Sequence, residues 1–118
     1  QPFIREITSL GEVSLHYFNG ELSHTIRKTP KEGDFRVQEE FGGLIESISA
    51  PEGTQEIAKA ALALVPGKPL YARVDLVTDG EKWMLIELEL IEPALYFRMD
   101  KNSAKRFVSA FDAYLAAL

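Results

Sequence analysis

The sequence predicts an α+β fold, a largely antiparallel sheet with two helices packed on one face. Three observations predict it. Short β-rich runs alternate with turn residues, two stretches carry apolar residues at helical spacing, and no cysteine exists to staple the chain, so packing alone must hold it. With 118 residues, 46% of them hydrophobic, the chain can build one core that buries roughly two-thirds of its unfolded surface.

Three strands open the chain: Phe3 to Ile7, Val13 to Phe18 after Leu10-Gly11-Glu12, and Leu22 to Lys28 after Asn19-Gly20. Asn-Gly between two such runs is a hairpin signal, because both central residues of a type I′ turn need positive φ. Thr29-Pro30-Lys31-Glu32-Gly33-Asp34 has no hydrophobic period and two breakers, which predicts a loop. A short Phe35 to Gln38 segment and the paired Gly42-Gly43 follow, making residues 29 to 43 the expected mobile region, and Leu44 to Ile48 resumes a strand.

Ile57, Ala58, Ala61, Leu62 and Val65 fall at helical spacing over Glu56 to Val65, with Ser49 and Glu52 as a capping box and Gly67 as a stop. Leu70 to Val77 and Lys82 to Leu90 are two further strands joined across Thr78-Asp79-Gly80-Glu81. Phe107, Val108, Phe111, Tyr114, Leu115 and Leu118 then mark a second amphipathic helix from about Ser103 to Leu118, docked on the sheet. The series holds six or seven strands.

The formal charge of -5 argues against a nucleic-acid surface, since neutralising several phosphates needs an excess of Lys and Arg. No apolar run approaches the ~20 residues of a membrane span, and nothing at the start reads as a signal peptide, so a soluble cytoplasmic protein is expected. The chain opens on Gln1-Pro2-Phe3-Ile4 without an initiator Met. It therefore reads as a single domain over residues 1–118 that is a fragment of a longer protein.

Alternation is sharpest from Trp83 to Leu90, where Met84, Ile86, Leu88 and Leu90 share one face and Trp83, Leu85, Glu87 and Glu89 the other. Glu87 and Glu89 project side by side with Cα atoms roughly 6.5 to 7 Å apart, close enough to converge on one cation. The wet face of an amphipathic strand would look the same. However, Trp83 and Leu85 on that face are not solvent residues, and adjacent carboxylates repel unless a cation or base lies between them.

Asp75 is the acid of the neighbouring apolar strand. A two-residue turn at Asp79-Gly80 would pair it with Met84, on the wrong face. An odd-length or bulged connection pairs it with Glu87, and that is the expectation. Hard oxygen ligands without Cys or paired His point to magnesium or manganese.

Asp75, then Glu87-Leu88-Glu89, then Pro93 resembles the acid, Glu-x-Asn, Pro signature that closes the ATP-grasp domain of glutathione-synthetase-like ligases. Other pieces agree in order. Gln1-Pro2-Phe3-Ile4 is similar to the hinge strand that meets adenine, and Gly11-Glu12 to the turn whose acid touches the ribose. Gly33-Asp34-Phe35-Arg36 with Gly42-Gly43 is similar to the glycine-rich loop over the phosphates. The resemblance covers nearly the whole chain, with Glu89 where the family usually has Asn.

The resemblance implies the carboxyl-terminal part of an ATP-grasp domain, with ATP and Mg2+ or Mn2+ as cofactors and small-molecule carboxylate and amine substrates. Gln1, Phe3 and Ile4 would meet adenine, Glu12 the ribose, and Gly42 and Gly43 the phosphates. Lys28 and Arg36 would face phosphates or an acylphosphate intermediate, and Asp75, Glu87 and Glu89 would hold the metal. Such ligases also use upstream lysines, so the isolated chain is expected to be inactive.

The other reading of the residues is a non-catalytic α+β module whose acidic face binds a cation or partner. His16 and His24 read as packed or surface strand residues, Arg73 as a partner of a carboxylate on its own face, and Tyr71, Trp83 and Tyr96 as core. Which acid and amine are joined is not legible, and a homo-oligomer is compatible with either reading.

Overall fold

A computed structural model describes residues 10–30, 43–91 and 93–118. The elements run β1 (Glu12–Phe18), β2 (Glu21–Thr29), β3 (Leu44–Ile48), α1 (Thr54–Ala63), β4 (Tyr71–Thr78), β5 (Trp83–Glu89), a 3-10 turn (Phe97–Met99) and α2 (Ser103–Ala116). The strands form one sheet in the order β3-β2-β1-β4-β5, every pair antiparallel. The α+β class with its antiparallel sheet and two helices is therefore as expected. Among the described residues there are five strands rather than six or seven, the Phe3 to Ile7 and Phe35 to Gln38 segments lying outside them.

Asn19 (φ 53) and Gly20 (φ 84) turn β1 into β2 as the Asn-Gly pair requires. At Gly11 (φ +76) a Cβ would stand 2.4 Å from the carbonyl oxygen of Lys28, so only glycine lets β1 start this close to β2. The Ser49–Glu52 capping box does not form. Gly53, at φ 87, caps α1 with no side-chain hydrogen bond, and the Thr54 hydroxyl donates to the Pro51 carbonyl at 2.6 Å. Backbone shape rather than a side-chain cap starts this helix, which ends at Ala63, short of Gly67.

Val13, Leu15 and Tyr17 of β1 and Ala72, Val74 and Leu76 of β4 share one sheet face and form the core with Ala58 of α1. Ile57, Leu62, Trp83 and Leu88 pack against it partly buried, and each fully buried Val or Leu of the core contributes roughly 1.5–3 kcal/mol. The helices do not share a face. Phe107 of α2 sits on Phe18 and Tyr71, ring centroids 5.2 and 6.5 Å away. Those two residues alternate with the core positions of β1 and β4, so they belong to the opposite face. Phe18 and Tyr71 give this second face its own apolar patch, and each helix takes one face.

β4 and β5 are joined by a turn in which the Asp79 N–H donates to the Lys82 carbonyl at 3.3 Å, while the Asp79 carboxylate accepts the N–H groups of Glu81 and Lys82, both at 2.9 Å. The ladder then runs Thr78–Trp83, Val77–Met84 and Leu76–Leu85, shifts, and continues Asp75–Glu87 and Arg73–Glu89. Ile86 is the residue left over. The expected bulge is present, inside β5 rather than in the turn, and Asp75 faces Glu87.

The same bulge corrects the face assignment at the start of β5. Trp83 and Leu85 lie opposite Thr78 and Leu76, on the α1 side with Leu88, and do not share the face of Glu87 and Glu89.

Candidate functional site

The face of the sheet away from α1 carries a line of polar residues, each placed by strand alternation. Glu12, Ser14 and His16 come from β1, His24 and Lys28 from β2, Arg73 and Asp75 from β4, Glu87 and Glu89 from β5. Such residues on two central strands need cover and partners. The cover comes from residues 93–98, crossing this face after β5. Arg73 Nη1 donates to the Ala94 carbonyl at 3.3 Å, and His24 Nε2 to the Leu95 carbonyl at 2.7 Å. Tyr96 (φ 50) lies over Lys28, whose Nζ is 5.9 Å from the ring centroid.

Asp75 is fully buried. Arg73 forks onto it, Nε to Oδ1 at 3.0 Å and Nη2 to Oδ2 at 2.9 Å, and the Ser14 hydroxyl donates to Oδ1 at 2.6 Å. Arg73 Nη2 also stands 3.0 Å from Glu89 Oε2. Burial works against the Arg73 charge, but the hydrogen bonds and charge of Asp75, joined by Glu89, outweigh it and raise its pKa. Glu87 shares a hydrogen bond with Glu89. That bond first, then desolvation and the charges of Glu89 and Asp75, push Glu87 up to about 7.

At the β1–β2 edge Glu12 and Lys28 form a 2.9 Å ion pair with both residues buried. Burial raises the Glu12 carboxyl above its usual range, with Lys28 opposing. His16 and His24 stack at 4.2 Å with rings 6° from parallel. His16 Nδ1 donates to the His24 carbonyl at 3.3 Å, and Nε2 has no partner among the described residues. Burial, with His24 beside it, lowers the His16 imidazole to about 3.

Of the expected site residues, Glu12, Lys28, Asp75, Glu87 and Glu89 come together on this one face. Gly43 precedes β3. Gln1, Phe3, Ile4, Arg36 and Gly42 lie outside the described residues, as does most of the 29 to 43 loop. Among the described residues no three His, Asp or Glu side chains stand so that they could hold a metal ion. Asp75, fully buried, already accepts three hydrogen bonds from Arg73 and Ser14. Glu87 and Glu89 are different. Two carboxylates two residues apart on one sheet face and not buried suit a hard divalent cation.

The sequence reading passes over Ser14, although the polar residues of Glu12-Val13-Ser14-Leu15-His16 alternate with apolar ones and announce a second buried face. The stacking of His16 on His24 had no sequence signal beyond their places in facing strands of one hairpin.

No family model matches the sequence. The cycloserine biosynthesis protein DcsG of Streptomyces lavendulae is 34% identical over 119 residues, covering 93% of this chain and 40% of that protein. The crystal structure of D-cycloserine synthetase DcsG superposes with a TM-score of 0.81 at 29% identity, over 98% of this chain and 41% of that one. The ATP-grasp ligase PsnB, complexed with a phosphomimetic precursor variant, Mg and ADP, matches with a TM-score of 0.56 at 15% identity, over 84% of this chain and 32% of that one. The chain has the ATP-grasp fold.

A D-alanine–D-alanine ligase from Bacillus anthracis complexed with ATP shares the ATP-grasp fold at a TM-score of 0.52 and 24% identity, over 86% of this chain and 35% of that one. The chain spans about two-fifths of the length of the DcsG proteins it matches. No helix among the described residues is long and apolar enough to cross a membrane.

Proposed function

We propose that this chain supplies the metal- and phosphate-facing part of an ATP-dependent carboxylate–amine ligase that works through an acylphosphate. The observation that carries the proposal is the β5 bulge, which turns Glu87 and Glu89 onto the face of Asp75, Arg73, Lys28 and Glu12. ATP in one fold neighbour and Mg with ADP in another support the choice of ligand.

Glu87 and Glu89 hold the divalent ion, magnesium or manganese, and Asp75 acts behind them through Arg73. Glu12 takes the ribose, Gln1, Phe3 and Ile4 the adenine, and Gly42 and Gly43 the phosphates, with Lys28 and Arg36 toward the transferring phosphoryl group. When bound, the ion neutralises phosphate charge. A substrate carboxylate oxygen attacks the γ-phosphorus and ADP leaves; the amine then attacks the acyl carbon and phosphate leaves. Lys28 and Arg36 hold the oxygens of the moving group, so positioning and charge do the chemistry and no protein nucleophile is required. The cycloserine and D-alanine relatives favour small amino-acid-like substrates.

The test is metal-dependent phosphate release by the intact protein. Glu87→Gln and Glu89→Gln together are expected to lower it about 100-fold or more. Unchanged release would instead leave a binding module. The chain alone is expected to release none, and a rate comparable to that of the intact protein would defeat the proposal.

A further inference from the structure

The Arg73 guanidinium is anchored on three atoms. Nε and Nη2 fork onto Asp75 at 3.0 and 2.9 Å, and Nη1 donates to the Ala94 carbonyl at 3.3 Å. Among the described residues its further ion pair, Nη2 to Glu89 Oε2 at 3.0 Å, differs in kind. The Asp75 side chain is 0% exposed and that of Arg73 9%, whereas that of Glu89 is 30% exposed and belongs to the last residue of edge strand β5. Of the two ends of this ion pair, Glu89 is the one with room to turn. Its neighbour on the same face is Glu87.

We propose that Arg73 is a positioning residue that stands in for the divalent cation, holding the Glu89 carboxylate while no ion is bound and yielding it when one binds. The inference rests on the reading of Glu87 and Glu89 as the ligands of that ion. Charge dictates the exchange. Asp75, Glu87 and Glu89 would put three carboxylates on adjoining strand positions, and Arg73 supplies the positive charge that lets two of them sit together. A divalent ion does the same work with twice the charge and repels the guanidinium at close range, where partial burial limits screening. Asp75 and Ala94 keep Arg73 from retreating, so the contact that gives way is the one to Glu89. Arg73 and the ion thus compete for one carboxylate, and the strength of the Arg73–Glu89 pair sets how much free cation the site needs.

The test is Mn2+ binding to the intact, nucleotide-free protein, followed by the EPR signal of free Mn2+, in a cycle of Arg73→Lys, Glu89→Gln and both together. Lysine keeps a counter-charge for Asp75, but its single ammonium cannot fork onto Asp75 and reach Glu89 at once. Arg73→Lys is expected to tighten Mn2+ binding about threefold or more when Glu89 is present and to change nothing once Glu89 is Gln. Equal or weaker binding in the Glu89 background, with the wild type binding measurably through Glu87, overturns the inference while the cation site stands. Wild-type protein that binds no Mn2+, or binds it equally after Glu87→Gln, overturns both. If Arg73→Lys fails to fold by circular dichroism, the wild-type 15N guanidinium resonances of Arg73 decide. Saturating Mg2+ is expected to move Nη2 and leave Nε in place, and two unmoved signals would overturn the proposal.

Discussion

Asp75 stands opposite Glu87 across β4 and β5 because β5 carries one residue, Ile86, that the ladder leaves unpaired. In an unbulged ladder Asp75 would oppose Ile86 and Glu87 would oppose Val74, a fully buried core residue on the α1 side. One extra residue decides whether two glutamates meet the polar face or the core.

Glu87 gives stability a pH dependence opposite to that of most carboxylates. Its pKa in the folded protein, about 7, lies above the ordinary 4.5, so the native state holds this proton more tightly than the unfolded chain does. The resulting stabilisation is complete below about 4.5 and is lost as pH rises through about 7. Urea midpoints of the wild type should carry this decline and those of Glu87→Gln should lack it; parallel pH profiles for the two would contradict the shared proton.

His16 works with the other sign. Its folded pKa of about 3 lies below the ordinary 6.5, so the unfolded chain binds protons that the folded one refuses. Its contribution is present above about 6.5 and falls away as pH drops toward 3. NMR of the imidazole should show His16 neutral at pH 5, and a midpoint near 6.5 would place the ring in water.

Ser14→Ala removes the 2.6 Å hydrogen bond to the fully buried Asp75. Hydrogen bonds to charged groups contribute about 1.5–3 kcal/mol, and the loss should fall in that range. Denaturant unfolding checks it, and a change under half a kcal/mol, roughly the scatter of surface substitutions, would mean that Arg73 alone satisfies the carboxylate.

Lys28→Met leaves Glu12 buried without its 2.9 Å partner. Breaking a buried pair from one side costs about 3–5 kcal/mol, whereas apolar replacement of both members is often neutral. Glu12→Leu with Lys28→Met should therefore be more stable than Lys28→Met alone. The reverse order would show that Glu12 reaches water.

The strand and helix pattern was legible because it rests on local chemistry. Asn19-Gly20 takes the positive φ its turn requires, the apolar period of α1 and α2 is written residue by residue, and the parity between Asp75 and Glu87 follows from a pleat that repeats every two residues. These features, with the order of motifs, were enough for the α+β class and for the likeness to the ATP-grasp fold.

Three things waited for the tertiary structure. The bulge was required by parity, but its place at Ile86, and with it the side that Trp83 and Leu85 take, depended on how β5 meets the core. The two helices lie on opposite faces because Phe18 and Tyr71 open a second apolar patch that only the assembled sheet displays. The fork of Arg73 on Asp75 with its reach to Glu89 brings together residues of two strands and a covering segment. Within an unbroken run of strand the sequence determines which groups share a face; bulges, and what the folded chain lays over that face, set the rest, since desolvation forces each buried charge to find the nearest opposite one.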